Sequence, residues 1–157
     1  DRHKAKVTLN QIRDTVRRIQ KNGMRVKGLF MMGLPGETEQ TIKRTTDFIE
    51  ELRLDDMNMT KFTPFPGSPA YKTIHEEGFF DEKWELMNCM NFVFVPKGIE
   101  SKERLEELYK QSIKKFYTSK NWMRKFGPLM FKSPHSTFRM IKNLPAFLKI
   151  KKDFEPG

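Results

Sequence analysis

Two short blocks carry the residues whose types and spacing suit chemistry. The first is the stretch "GLFMMGLPGETEQT" at 28–41, where an apolar run enters Gly33, Leu34, Pro35, Gly36, Glu37 and Thr38. The second is "PFPGSPAY" at 64–71. Glycine lets a backbone approach a ligand closely, and proline fixes a turn while removing a competing donor. A strand that ends this way delivers a tight loop to a binding site. Several familiar sites are excluded. A phosphate loop needs Lys after its second Gly, and Glu37 stands there. The dinucleotide fingerprint is absent, and "HEEGF" at 75–79 lacks the second His of a metalloprotease helix. His3 and His135 have no clustered ligands, and no Ser/His/Asp set has a known spacing. The single cysteine, Cys89, can form no internal disulfide and cannot alone hold an iron–sulfur cluster or a Cys-rich zinc site. It reads as a small hydrophobe near a strand, in a reducing, cytoplasmic setting.

The elements that must position these blocks are legible from pattern. Thr8 and Gln11 form a capping box, and Leu9, Ile12, Val16 and Ile19 share one helical face that Asn22-Gly23 ends. Met24 to Leu34 predicts a strand, apolar enough to be buried on both faces. Thr38 then caps a second helix with Ile42, Ile49 and Leu52 inward and Thr45 or Thr46 between them. Met57 to Thr63 predicts a second strand, and Ser68-Pro69 starts a short helix that stops near Gly78. The alternation implies a parallel sheet with right-handed crossovers. "NFVFVP" at 91–96 is a candidate edge strand for that sheet. Ser101 opens a long helix with Leu105, Leu108, Ser112, Ile113 and Phe116 on one side, expected to run to Phe126. Gly127-Pro128 breaks it, Ser133-Pro134 restarts a helix, and Leu144-Pro145 interrupts that one.

The 157 residues suffice for one domain with a core. The net charge of +10 is uneven. Residues 100–157 hold 14 Lys/Arg against 6 Asp/Glu, whereas residues 1–99 hold 16 against 14. Two surfaces with different jobs follow from that asymmetry. No apolar run approaches a transmembrane length and no signal peptide is visible. The first residue is Asp, so an excised piece of a longer protein is expected.

A hydrophobic strand ending in G-x-P-G-E-T, a helix, a strand, and then P-[YF]-P-G-[ST]-x-x-Y resembles the radical S-adenosylmethionine (SAM) superfamily. Gly33, Pro35, Gly36, Glu37 and Thr38 match the first motif; Pro64, Phe65, Pro66, Gly67, Ser68 and Tyr71 match the second. The match covers roughly residues 5–80 and is closest in pattern to the cobalamin-domain-containing branch, with its anaerobic magnesium-protoporphyrin ester cyclases and related methyltransferases. The resemblance implies an α/β fold, a partial (β/α) barrel half with parallel strands and its site at the C-terminal strand ends. Residues 1–83 are then the C-terminal half of the catalytic barrel and residues 84–157 a mostly helical, basic extension. Gly33, Leu34 and Pro35, with Phe62, Thr63 and Pro64, are the residues the resemblance places against SAM. Glu37 has two readings, a helix-start acid or a ligand contact. "PFPGSPAY" likewise either shapes the crossover, with Tyr71 packing on the following helix, or touches the cofactor.

In the family, three cysteines in C-x-x-x-C-x-x-C hold a [4Fe–4S] cluster that reduces SAM, and the 5′-deoxyadenosyl radical then abstracts hydrogen. This chain has no such motif, so cluster, SAM and any cobalamin are expected of a parent protein rather than of this fragment, which is expected to be inactive alone. Its expected partners are the missing N-terminal half, a small organic substrate and, through exposed barrel edges, further copies of itself. The tail at 114–152 mixes basic and aromatic residues and has three readings: helices with solvated lysines, RNA contact in a tRNA-modifying enzyme, or an anionic membrane surface bound through Trp122, Phe126, Leu129, Met130 and Phe131. A non-catalytic scaffold or interaction module is the rival to the enzyme reading.

Overall fold

A computed structural model describes residues 7–125. The tail elements expected around Gly127-Pro128, Ser133-Pro134 and Leu144-Pro145 lie outside the described residues, as do His3, His135 and the proposed membrane residues beyond Trp122. The chain divides into two units, Asp1–Trp122 and Met123–Gly157, and both of its small sheets belong to the first.

The first helix, α1, spans Leu9–Lys21 behind the complete Thr8/Gln11 capping box. Gly23 comes next at φ 72, the left-handed conformation that ends the helix. The strand β1 covers Lys27–Met32, shorter than expected. The helix α2 covers Glu39–Glu51, capped by Thr38 with Thr41 completing the box. The strand β2 covers Asp56–Lys61. β1 and β2 pair in parallel with Met32 opposite Lys61. The structure is thus mixed α/β with a parallel pair.

Burial of β1 on both faces is not observed. Gly28, Phe30 and Met32 share one face with Met57, Met59 and Lys61, and the helices cover that face. Leu29 and Met31 point the other way and are 75% and 43% exposed. The reason is topological. The β1-α2-β2 crossover lays α2 on one side of the pair, and among the described residues no helix covers the other. Nor does any described strand pair with the outer edge of β1.

The segment 91–96 does not extend this sheet. Helix α3, Pro69–Glu77, runs directly into β3, Gly78–Phe80, and β3 pairs antiparallel with β4, Phe94–Pro96. β3 escaped the sequence reading because three residues give no periodicity. The close approach is forced at Gly78, where a Cβ would lie 2.1 Å from the Val95 carbonyl oxygen. Ile74, Phe80, Val93 and Phe94 form a small second core here, beside the main one of Met32, Ile42, Ile49, Met57, Met59, Phe92, Leu105 and Phe116.

Helix α4, Lys102–Tyr117, opens at Ser101 as expected and buries Leu105, Ser112 and Phe116. It ends at Tyr117 with Thr118 as its cap, so the run expected to reach Phe126 is broken there. Each buried Leu or Phe on this face contributes about 1.5–3 kcal/mol. Polar ties add alignment. Arg104 bonds both Glu39 carboxylate oxygens at 2.8 and 2.7 Å, and Lys115 reaches Asp47 at 2.7 Å. Lys115, with Lys43, pulls the Asp47 carboxyl down to about 2. These pairs are solvent-exposed, so geometry rather than stability is their main return.

The Tyr117 hydroxyl donates towards Asp56 Oδ1 and the Met57 carbonyl, both at 3.1 Å. Burial, then the Asp56 carboxylate, pushes its pKa up from 10.0 to about 12. The folded chain therefore keeps a proton that the unfolded chain releases near pH ~10, and stability falls as pH climbs through that window. Tyr117→Phe is expected to lower the proton release linked to unfolding by about one between pH ~10 and ~12. Chemical denaturation across that range checks it; an unchanged slope would place the alkaline loss elsewhere.

Candidate functional site

Parallel pairing brings the ends of β1 and β2 to one edge. The Phe62 N–H donates to the Met32 carbonyl at 2.8 Å, which carries the register one step past the strands. Gly33–Pro35 and Phe62–Pro64, the six residues predicted to meet a cofactor, are consequently neighbours. Both stretches then enter the same kind of turn. The Glu37 N–H donates to the Leu34 carbonyl at 3.0 Å, with Pro35 and Gly36 between and Gly36 at φ 79. The Ser68 N–H donates to the Phe65 carbonyl at 3.1 Å, with Pro66 and Gly67 between and Gly67 at φ 83. Proline second and left-handed glycine third define a type II turn in each case. Each turn hands directly to a helix cap, Thr38 for α2 and Ser68 for α3.

The six residues are not equally available. Gly33, Thr63 and Pro64 are buried; Leu34, Pro35 and Phe62 are half-buried. Phe62 turns its ring to Phe94 in an edge contact at 5.9 Å. Gly33 has φ 89, and a Cβ on it would stand 3.0 Å from the Phe92 ring. Its glycine is thus required by conformation and packing. Leu34, Pro35 and the exposed apexes around Gly36 and Phe65 make the accessible rim.

Glu37 is not the first-turn acid of α2. The acid in the first turn of α2 is Glu39. One Glu37 carboxylate oxygen instead accepts the Gly33 N–H at 2.7 Å and the Leu34 N–H at 3.2 Å. It closes the loop on itself and fixes the backbone that leads from strand to turn. Gly98 packs on the same loop, bridging Thr38, and a Cβ there would meet the Glu37 carbonyl oxygen at 2.4 Å. Tyr71 packs edge-on against Phe80 at 5.8 Å and bonds Glu82 through its hydroxyl, which raises its pKa.

Sequence reasoning missed Lys61. It is 8% exposed on the covered face of β2, paired with Glu106 of α4, with its ammonium 4.8 Å from the Phe92 ring centre and 4.9 Å from that of Tyr109. Only its place in the Met57, Met59, Lys61 alternation signals inward direction. Cys89 also carries more than packing. It holds φ 61, its carbonyl accepts the Lys61 N–H at 2.9 Å, and its N–H donates to Thr63 Oγ1 at 3.3 Å.

Two cavities among the described residues are lined by residues other than these six. One of about 500 Å³ lies between α2 and α4, and one of about 350 Å³ lies by β3, β4 and the start of α4. Among the described residues no group of three His, Cys, Asp or Glu is placed to hold a metal ion, and no helix is long and apolar enough to cross a membrane. An iron–sulfur cluster takes several thiolates, and Cys89 is the one cysteine of this chain.

No family model matches the chain. It is similar to a bacteriochlorophyllide d C-12(1)-methyltransferase of Chlorobaculum tepidum, 27% identical over 96 residues, which is 60% of this chain and 21% of that protein. An uncharacterised methyltransferase of Pyrococcus horikoshii is 27% identical over 112 residues, 71% of this chain and 24% of that protein. A ribosomal protein uS12 methylthiotransferase of Klebsiella pneumoniae is 32% identical over 84 residues, 52% of this chain and 18% of that protein. The chain spans about a fifth of the length of these curated relatives. Its likeness is therefore to parts of enzymes, and those of the radical SAM type support the superfamily resemblance carried by the two motifs.

Gly33→Ala is expected to cost about 1–3 kcal/mol, because φ is left-handed and the Phe92 ring must yield. Gly23→Ala, where nothing lies within 4 Å, isolates the conformational part at about 1–2 kcal/mol. Urea unfolding of both variants measures the difference. Equal losses would mean that the Phe92 contact costs nothing.

Proposed function

We propose that this chain is the C-terminal part of a radical SAM enzyme's catalytic barrel, and that the twin strand ends form part of its SAM-binding edge. The carrying observation is the side-by-side placement of Gly33–Pro35 and Phe62–Pro64, each leading into a Pro-Gly turn that caps a helix. Leu34, Pro35 and Phe62 would pack on the cofactor, while Glu37 and Gly98 hold the loop rigid beneath it. When bound with a reduced cluster, SAM supplies a 5′-deoxyadenosyl radical; the cluster itself would come from a preceding part of the same protein. The relatives' names favour transfer of a methyl or methylthio group to an organic or protein acceptor, and a cobalamin requirement would follow for the methyltransferase branch.

The uncovered side of β1, with Leu29, Met31 and the open edge, is where the remaining strands would attach. Residues 84–157 would be the extension, in a cytoplasmic enzyme. The basic tail would serve RNA or an anionic membrane surface. Here Trp122 packs against Tyr117 at 5.2 Å, a contact that membrane insertion of its ring would have to give up.

The test starts with the coding sequence upstream of Asp1. A C-x-x-x-C-x-x-C motif within the preceding catalytic-domain length is expected. The extended protein, reconstituted with iron and sulfide under anaerobic conditions, should cleave SAM to 5′-deoxyadenosine. Pro35→Ala and Phe62→Ala should weaken SAM binding by about tenfold, equivalent to about 1.4 kcal/mol. A frame lacking the motif, or a reconstituted protein that never binds SAM, would sink the reading and leave a scaffold role. The isolated chain should self-associate in light scattering; a monodisperse monomer would count against a missing half.

A further inference from the structure

We infer that α4 is part of the machinery that sets the strand-end turn, acting through Lys61 and Phe92 as positioning residues. Phe92, fully buried, stands between the two. One edge of its ring fills the space that a side chain at Gly33 would occupy, at 3.0 and 3.2 Å from the position of a Cβ. Its face takes the Lys61 ammonium, and its edge geometry to Tyr109 of α4 is nearly perpendicular at 88°. Leu105 of α4 also reaches the Gly33 position, at 3.6 Å. The cation is held from above by Glu106, on the same helix as Leu105 and Tyr109.

The arrangement forms a short mechanical chain: helix carboxylate, buried ammonium, aromatic ring, left-handed glycine. Lys61 is bound at its other end as well. Its N–H is fixed by the Cys89 carbonyl, and Cys89 in turn donates to Thr63. Both strand-end stretches, Gly33–Leu34 and Phe62–Thr63, thus refer back to one lysine. An ammonium between two ring faces is attracted to both, and low exposure strengthens that attraction. A wholly apolar side chain would fill the same space without fixing the ring's position relative to α4. Buried charges often add little to net stability, so a positioning role is separable from a stabilising one.

The inference rests on the reading of Gly33–Pro35 as a cofactor edge only for its significance, and its test does not use SAM. Amide hydrogen exchange is measured in the intact chain for Gly33, Leu34 and Glu37, with Val16 of α1 as the reference for global opening. Lys61→Met keeps bulk and removes the charge. Glu106→Gln keeps shape and leaves the ammonium without its counter-charge, at a position exposed enough to fold normally. Each is expected to speed exchange at Gly33 and Leu34 by about tenfold relative to Val16, with the double variant no faster than Lys61→Met alone. A uniform change across the chain, unchanged protection at the turn, or additive effects of the two substitutions would overturn it. An extended, cluster-reconstituted protein that fails to bind SAM, beside a chain that shows the local loss, would refute the cofactor reading alone.

Discussion

The parallel pairing of β1 with β2 is the constraint that organises the other elements. An antiparallel pair can be closed by a tight hairpin and places consecutive strand ends at opposite edges. A parallel pair cannot. Its chain must cross back through α2, which commits one face of the pair to helices and delivers both strand exits to one edge. Leu34, Pro35, Phe62, Thr63 and Pro64, far apart in sequence, become neighbours for that reason alone. The same crossover explains why the covered face carries Met57, Met59 and Lys61 while Leu29 and Met31 meet water.

The turn chemistry at that edge is local and self-sufficient. Pro-Gly pairs set two type II turns, and threonine or serine then caps the helix beyond. Glu37 takes up the backbone donors of Gly33 and Leu34. A loop stiffened in this way presents a defined apolar rim at little cost in ordering when something settles on it.

Much of this was legible in the sequence where the signal was periodic or punctuated. Thr8, Thr38, Ser68 and Ser101 all cap the helices they were expected to cap, and Ile42, Ile49, Leu105 and Phe116 all face inward. The choice of the six candidate residues came from the family resemblance, and the parallel register makes them neighbours. What was not legible depended on absent neighbours or on brevity. The apolar run at 24–34 reads as doubly buried because periodicity does not say which face has a partner. Three-residue strands such as Gly78–Phe80 leave no period. A lone lysine within an alternating strand looks like an exposed position until the register shows it inward, and Glu37 looked like a helix acid because its true partners, Gly33 and Leu34, precede it.

The alternation in β2 has a consequence for how this segment tolerates change over evolutionary time. Removing or inserting one residue between Asp56 and Lys61 would invert the facing of the strand on one side of the change, so that Met57, Met59 and Lys61 could no longer all point inward. Where the Lys61 side turns, the ammonium would leave its aromatic seat, and Phe92 would lose its bearing on Gly33. The connection from β3 to β4 is tied at Met87 and Cys89, but its exposed stretch at 83–85 has no sheet register to preserve and more freedom in length. Gaps and insertions in descendants of this segment should therefore gather in that connection, while the strand itself keeps its length to the residue.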